Sequence, residues 1–242
     1  MKSRARHVYK GHRDHAKRRL ELLRTFLILL LLYLLISTFF VQPWILTTLS
    51  MRPNYTEGTR FLVHPYWFRN DRGGPKMPPR RGDIVTFLPP YVPESPWYYR
   101  ILNPLIRFVS LQRVNLRVGG SEEWENERSI KRVIGIPGDS IMLKESIAYV
   151  KSAEDEFFIS EFEISAKGYD LKTSELPHRW TKELPLSGEM DALVLGDGEF
   201  FLMGDNRSAS NDSRYWGPLK EDSLKGRVIF VYWPFRRMGR PR

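Results

Sequence analysis

An uncharged apolar run near the start of the chain constrains the fold more than any other feature. Residues 25–41 contain no charged side chain and are interrupted only by Ser37 and Thr38. Extended to residue 46, the run reaches about 20 residues, the length of a helix that crosses a bilayer. Pro43 and Trp44 suit its far end at the interface. A cleaved signal peptide would have a shorter apolar region followed by small residues. Residues 25–46 are therefore predicted to be a retained transmembrane helix.

Basic residues are concentrated before this run. The net charge is +10, which by itself suggests binding to nucleic acid or to anionic lipid. Residues 1–24 hold nine Lys and Arg against only Asp14 and Glu21. A basic cluster beside an apolar segment is typical of a topology signal. We therefore expect a cytoplasmic tail (1–24), an exported domain (47–242), membrane lipid as a partner, and no nucleic acid.

Beyond residue 50 the sequence predicts a mainly β, mostly antiparallel domain. Short β-like runs such as 60–64, 83–88, 199–203 and 227–233 are separated by Gly/Pro turns. Residues 91–128 and 145–196 interrupt this pattern and are interpreted as insertions. Within the first insertion, residues 97–118 combine aromatic, apolar and basic side chains, which suits either a membrane surface or an ordinary surface helix. The chain has no cysteine, which fits an exported domain.

Ser50 and Lys131 are the candidate catalytic residues. A serine hydroxyl becomes a good nucleophile when a neighbouring base takes its proton. A lysine serves as that base only when burial lowers its pKa. In a strand, Lys131 shares a face with Val133 and Gly135, and no carboxylate is expected beside it.

Other chemistries have less support in the sequence. After the apolar run only His64 and His178 are available for a Ser-His-Asp triad, and neither lies in a motif. There is no His-Glu-x-x-His pattern and no Gly-rich phosphate loop. We therefore predict no metal and no cofactor, and a serine nucleophile with a lysine base.

Four segments resemble signature boxes of bacterial type I signal peptidases, in the order found in that family. They are residues 50–53 (SMRP), 81–85 (RGDIV), 129–139 (SIKRVIGIPGD) and 204–214 (GDNRSASNDSR). The last box is long and specific. The resemblance covers most of residues 44–144 and 190–236.

This resemblance implies roles for particular residues. Ser50 would attack the scissile carbonyl, with Lys131 neutral at rest as the base. The Ser50 N–H and the Thr48 hydroxyl would hold the oxyanion, and Ser210 would hydrogen-bond and orient the lysine. The residues expected to support the site are the turn-forming Asp205, Asn206 and Arg207, and the acid–base pair Asp212 and Arg214.

The resemblance also implies a substrate and a location. Exported preproteins would be cut after a small-x-small site on the extracytoplasmic side of the bacterial cytoplasmic membrane. A small β subdomain would occupy residues 145–196. The sequence departs from the family pattern at Leu49, at Asn54-Tyr55 and at Ser208, which affects substrate preference near Ser50.

Three alternatives remain open at this point. A self-cleaving repressor also uses Ser-Lys chemistry, but it needs a DNA-reading helix-turn-helix where this chain has a basic and then apolar segment. A non-catalytic binding protein leaves the ordered boxes unexplained. A Ser-Lys peptidase dedicated to a narrow substrate set is compatible with every feature. The sequence makes no prediction of oligomeric state.

Overall fold

The computed structural model describes residues 2–65, 78–91, 98, 102, 106, 129–165, 168–174, 184 and 187–242. The chain divides into two compact units. One comprises Met1–Phe40 with Trp97–Leu116, and the other comprises Val41–Pro96 with Arg117–Arg242. His178 and most of the predicted insertion 91–128, including nearly all of 97–118, lie outside the described residues.

Helix α1 (Lys2–Phe39) is the main element of the first unit. Many of its apolar side chains are exposed, for example Phe26, Leu29 and Leu31. Among the described residues, no helix is both long enough and apolar enough to cross a membrane.

The predicted helix was placed too far along the chain at its C-terminal end. Residues 42–45 do not continue α1 but form strand β1 (Gln42–Ile45), which pairs with residues 60–63. Pro43 lacks the N–H that a helix interior needs, and at a sheet edge that loss costs little. Leu46, the last residue of the predicted anchor, is buried in the core of the second unit.

The second unit contains a seven-stranded antiparallel sheet, in agreement with the predicted fold class. Its strand order is β1-β2-β11-β3-β4-β9-β10. The remaining strands of this sheet are β2 (Arg60–Pro65), β3 (Ile84–Phe87), β4 (Ser129–Gly135), β9 (Glu199–Met203), β10 (Leu219–Lys220) and β11 (Leu224–Trp233).

A second, four-stranded antiparallel sheet has the order β7-β6-β5-β8. Its strands are β5 (Ser140–Lys144), β6 (Ile147–Lys151), β7 (Ile159–Ser160) and β8 (Met190–Val194). This sheet starts at Ser140, a few residues before the predicted insertion. A single helical turn, α2 (Glu161–Ile164), follows β7 directly.

Strand β4 is buried on both faces because it lies between β3 and β9 with core side chains above and below. Ile130 packs in a cluster with Ile84 and Phe61, whereas Val133 packs with Val85 and Leu202. Lys131 and Arg132 are therefore both removed from solvent. Two adjacent buried basic side chains are costly unless something compensates them.

Shorter helices complete the unit. Helix α3 (Ser213–Trp216) follows β9, and two 3-10 turns occupy Glu221–Ser223 and Phe235–Arg237.

Candidate active site

Ser50 lies in the turn that follows β1 and is held there by a distant segment. The Asn206 backbone N–H donates to the Ser50 carbonyl oxygen at 2.9 Å, and the Asn206 side-chain amide donates to the Leu49 carbonyl at 3.2 Å. Ser50 is only 5% exposed. The predicted turn-shaping residue Asn206 thus fixes the backbone of the candidate nucleophile.

Lys131 approaches Ser50 from strand β4, where it pairs with Val85. Its Nζ donates to Ser50 Oγ at 2.9 Å and to the Ile130 carbonyl at 3.3 Å. Lys131 is 3% exposed. The structure therefore brings together two side chains that lie 81 residues apart in the sequence.

Burial lowers the pKa of Lys131 from 10.5 to about 8. Asp212 and Asp205 partly oppose this shift, while Arg214 adds to it. The expectation that no carboxylate lies near the lysine is wrong, because the loop after β9 brings two of them into range. With a pKa of about 8, about a tenth of the lysine is neutral at pH 7, so the ammonium predominates at rest.

Thr48 lies beside the same hydroxyl. Its Oγ1 is 2.9 Å from Ser50 Oγ, and either hydroxyl can be the donor. Thr48 itself is exposed, whereas Ser50 is buried.

Ser210 is buried next to the site, and its Oγ makes no well-aligned hydrogen bond among the described residues, although it lies near enough to Asp212 to help lower the pKa of that carboxyl. The predicted hydrogen bond from Ser210 to Lys131 is therefore not formed in this structure. Ser210 packs against Gly204 so closely that a Cβ at Gly204 would lie 2.2 Å from Ser210 Oγ and 2.6 Å from the Ser50 carbonyl oxygen. Glycine at position 204 is required by this close approach.

Asp205 forms a buried bidentate ion pair with Arg132, at 2.8 and 2.7 Å. Asn54 donates to the same carboxylate at 2.8 Å. Sequence reasoning assigned no role to Arg132 or Asn54. Arg132 adjoins Lys131 inside the third box, so its position was a usable signal, whereas Asn54 looked only like a departure from the family pattern.

Asp212 and Arg214 form the predicted acid–base pair, with contacts of 2.8 and 2.9 Å. Asp212 also accepts from the Gly204 N–H at 3.0 Å and from the Arg214 N–H at the start of α3. Burial raises the pKa of Asp212, but the Arg214 guanidinium and the Gly204 N–H together bring it below its ordinary value. Asp212 is thus an anion that closes the loop of residues 204–214.

Arg207 is buried and paired with Glu161 of α2, with one contact at 2.8 Å. Its guanidinium also donates to the Gly204 carbonyl at 3.1 Å and to the Ser146 carbonyl. Sequence reasoning missed Glu161, which lies in a charged stretch of the insertion with no motif around it. No three His, Cys, Asp or Glu side chains of the described residues are grouped so that they could hold a metal ion.

A serine hydroxyl that contacts a buried amine with a lowered pKa defines a class of site. Hydrolases that use a serine nucleophile and a lysine base have this arrangement.

The family model "Signal peptidase, peptidase S26" matches residues 19–233. The chain belongs to this peptidase family. It is a serine endopeptidase of the signal peptidase I kind, and the resemblance seen in the four boxes is confirmed.

Individual relatives agree with the family match. Signal peptidase IB of Staphylococcus aureus (strain COL) is 31% identical over 135 residues, which cover 52% of this chain and 69% of the relative. The probable signal peptidase I-1 of Synechocystis is 27% identical over 215 residues, covering 88% of this chain and 82% of the relative. A crystal structure of a signal peptidase I from Enterococcus faecalis V583 is 22% identical, covers 62% of this chain and 97% of that chain, and has a TM-score of 0.32.

Proposed function

We propose that this protein removes N-terminal signal peptides from exported preproteins, cutting after a small-x-small site with Ser50 as nucleophile and Lys131 as general base. The observation that carries the proposal is the 2.9 Å contact between Lys131 Nζ and Ser50 Oγ inside a buried site. Family membership supports the substrate class, and this contact supports the assignment of the two residues.

In the first half of the reaction, neutral Lys131 takes the proton of Ser50 Oγ while the oxygen attacks the scissile carbonyl carbon. The resulting tetrahedral adduct collapses as the Lys131 ammonium gives that proton to the leaving amine. The mature protein departs with a new N-terminus, and the signal peptide remains as an ester on Ser50. A water molecule, deprotonated by the same lysine, then hydrolyses the ester and restores both side chains.

The developing oxyanion needs donors aimed at it. We assign this role to the Ser50 backbone N–H and the Thr48 hydroxyl, which is already 2.9 Å from the attacking oxygen. A single preorganised donor of this kind is typically worth about 100- to 1000-fold in kcat.

The neighbouring residues hold this geometry. In the proposal, Asp205 neutralises the buried Arg132 next to the lysine, and Asp212 with Arg214 closes the loop that carries Asn206. We assign Ser210 to supporting the turn that carries Ser50, because it is buried against Gly204, which itself lies against the Ser50 carbonyl.

We propose that the protein is attached to the cytoplasmic membrane through the apolar run 25–41, with residues 1–24 in the cytoplasm and the catalytic unit outside. The support is the absence of charge in the run, the exposure of its apolar side chains and the basic cluster before it. External protease added to intact spheroplasts should remove the C-terminal domain and spare an epitope at residue 1. The reverse pattern would refute this topology.

The activity is tested with the full-length protein in detergent and a purified exported preprotein. Ser50→Ala and Lys131→Ala should each abolish cleavage, because nucleophile and base act as a unit. Lys220→Ala is the matched control, since Lys220 is an exposed lysine that pairs with Glu199 at the surface. Near-normal turnover by Lys131→Ala would show that the lysine is not the base. Comparing several preproteins separates a general signal peptidase from one with a narrow substrate set.

A further inference from the structure

Glu161 is a buried carboxylate at the start of α2, directly after the last residue of β7. It accepts four hydrogen bonds from three residues. It accepts from the Arg207 guanidinium through both carboxylate oxygens, from the Tyr169 hydroxyl at 2.5 Å and from the Ala148 N–H at 2.8 Å. Its side chain is 2% exposed. Because all these partners are donors, the carboxylate is satisfied as an anion.

Arg207 connects Glu161 to the turn that carries Ser50 through a series of hydrogen bonds. Arg207 donates to the Gly204 carbonyl at 3.1 Å, and the Arg214 guanidinium donates to the Arg207 carbonyl at 2.8 Å. The residue before Arg207 is Asn206, whose two hydrogen bonds hold the carbonyls of Leu49 and Ser50. A shift of Arg207 is therefore passed to the turn that carries Ser50.

Tyr169 connects Glu161 to strand β4, which carries Lys131. The Tyr169 ring lies under the Arg132 guanidinium, with 3.8 Å between the ring centroid and Cζ. Arg132 is the neighbour of Lys131 on β4 and pairs with Asp205. The backbone of Lys172 also bonds to Asp205 and Arg207, so the segment 168–174 is tied to the same loop.

We propose that Glu161 is a positioning residue for the Ser50–Lys131 pair. Its carboxylate fixes the loop that holds Ser50 and, through Tyr169, the strand that carries Lys131, so that the separation of the two reacting groups depends on a residue of the inserted β subdomain. This inference rests on the proposed Ser-Lys function. It assigns the insertion a task in catalysis.

A purely structural ion pair makes a different prediction from a positioning residue. Loss of a structural pair lowers the unfolding temperature but leaves turnover unchanged at temperatures where the protein is folded. Loss of a positioning residue lowers kcat in the folded protein with little change in KM, because the reacting groups are misplaced while the substrate surface is intact.

The first test is Glu161→Gln, which keeps the shape and removes the charge. We expect kcat for preprotein cleavage to fall at least about tenfold, with KM within about twofold, since misplacements of about 1 Å can cost 100-fold. The rising limb of the pH profile should also move above its parental position, because a loosened site admits water and relieves the burial that lowers the pKa of Lys131. Glu163→Gln is the control, since Glu163 lies in the same turn but is exposed.

Two further variants cover the case in which Glu161→Gln does not fold because Arg207 is left without a counter-charge. Glu161→Gln combined with Arg207→Met removes both charges of the pair. Tyr169→Phe keeps the ring beneath Arg132 but removes the hydroxyl that donates to Glu161. Each folded variant should show reduced kcat, with the effect of Tyr169→Phe the smaller. Parental kcat and an unmoved pH limb in every variant that folds would overturn the proposal.

The same assay separates this inference from the proposed function. If the parent protein and the Glu163→Gln control cleave the preprotein while Ser50→Ala does not, the function stands whatever Glu161→Gln does. If the parent protein fails to cleave any preprotein, the result refutes the proposed function and not the role of Glu161 in particular.

Discussion

Replacing Lys131 by methionine should inactivate the enzyme without destabilising it at pH 7. The lysine pKa falls from 10.5 in the free side chain to about 8 in the folded protein, mainly through burial. A difference of about 2.5 units corresponds to about 3 kcal/mol by which folding disfavours the charged lysine. Methionine has a similar length and no charge to bury, so Lys131→Met removes this cost.

The pH dependence of this effect has a definite sign. Below pH 8 the lysine is charged in both states, and its burial costs the full amount. Between about pH 8 and 10.5 the folded protein binds fewer protons than the unfolded chain, so stability rises with pH in this window. The advantage of Lys131→Met over the parent should therefore be largest below pH 8 and disappear towards pH 10.5.

Urea unfolding of the full chain in detergent, monitored by tryptophan fluorescence at several pH values, measures this difference. Lys220→Met is the control, because Lys220 is exposed and its replacement should change stability little at any pH. The reasoning is refuted if Lys131→Met is clearly less stable than the parent at pH 7, or if the gap between them does not narrow from pH 8 to pH 10.

Three further predictions concern activity. Cleavage by the parent should rise with pH along a limb centred near pH 8, the pKa of Lys131. A limb that disappears in His64→Gln would instead identify a histidine base. Thr48→Val should lower kcat about 100-fold while Thr48→Ser stays nearly active, and equal rates for the two variants would exclude the Thr48 hydroxyl from the oxyanion site. Gly204→Ala places a methyl group 2.6 Å from the Ser50 carbonyl oxygen. Thermal unfolding should therefore show a free energy of unfolding lower by about 1–3 kcal/mol, and cleavage should fall sharply. Parental cleavage rates would show that the turn can move to accommodate the methyl group.

The sequence by itself determined the peptidase family and the mainly β, antiparallel class of the domain. Ser50, Lys131 and the residues of the last box occur in contiguous motifs whose order and spacing are visible without a structure. The alternation of short apolar runs with Gly/Pro turns was enough for a mainly antiparallel β domain, because strand formation depends on local pattern. The position of the first strand was missed, since Pro43 and Trp44 suit the far end of a transmembrane helix as well as they suit an edge strand.

Only the tertiary structure decided which groups surround these residues. Glu161, Arg132 and Asn54 reach the site through strand pairing and loop packing between segments that are far apart in the chain. The pKa of Lys131 depends first on its burial and then on its distances from Asp212 and Asp205, and a sequence contains neither. Electrostatic energy depends on separation and burial in three dimensions, so a motif indicates the candidate base while the fold sets its pKa.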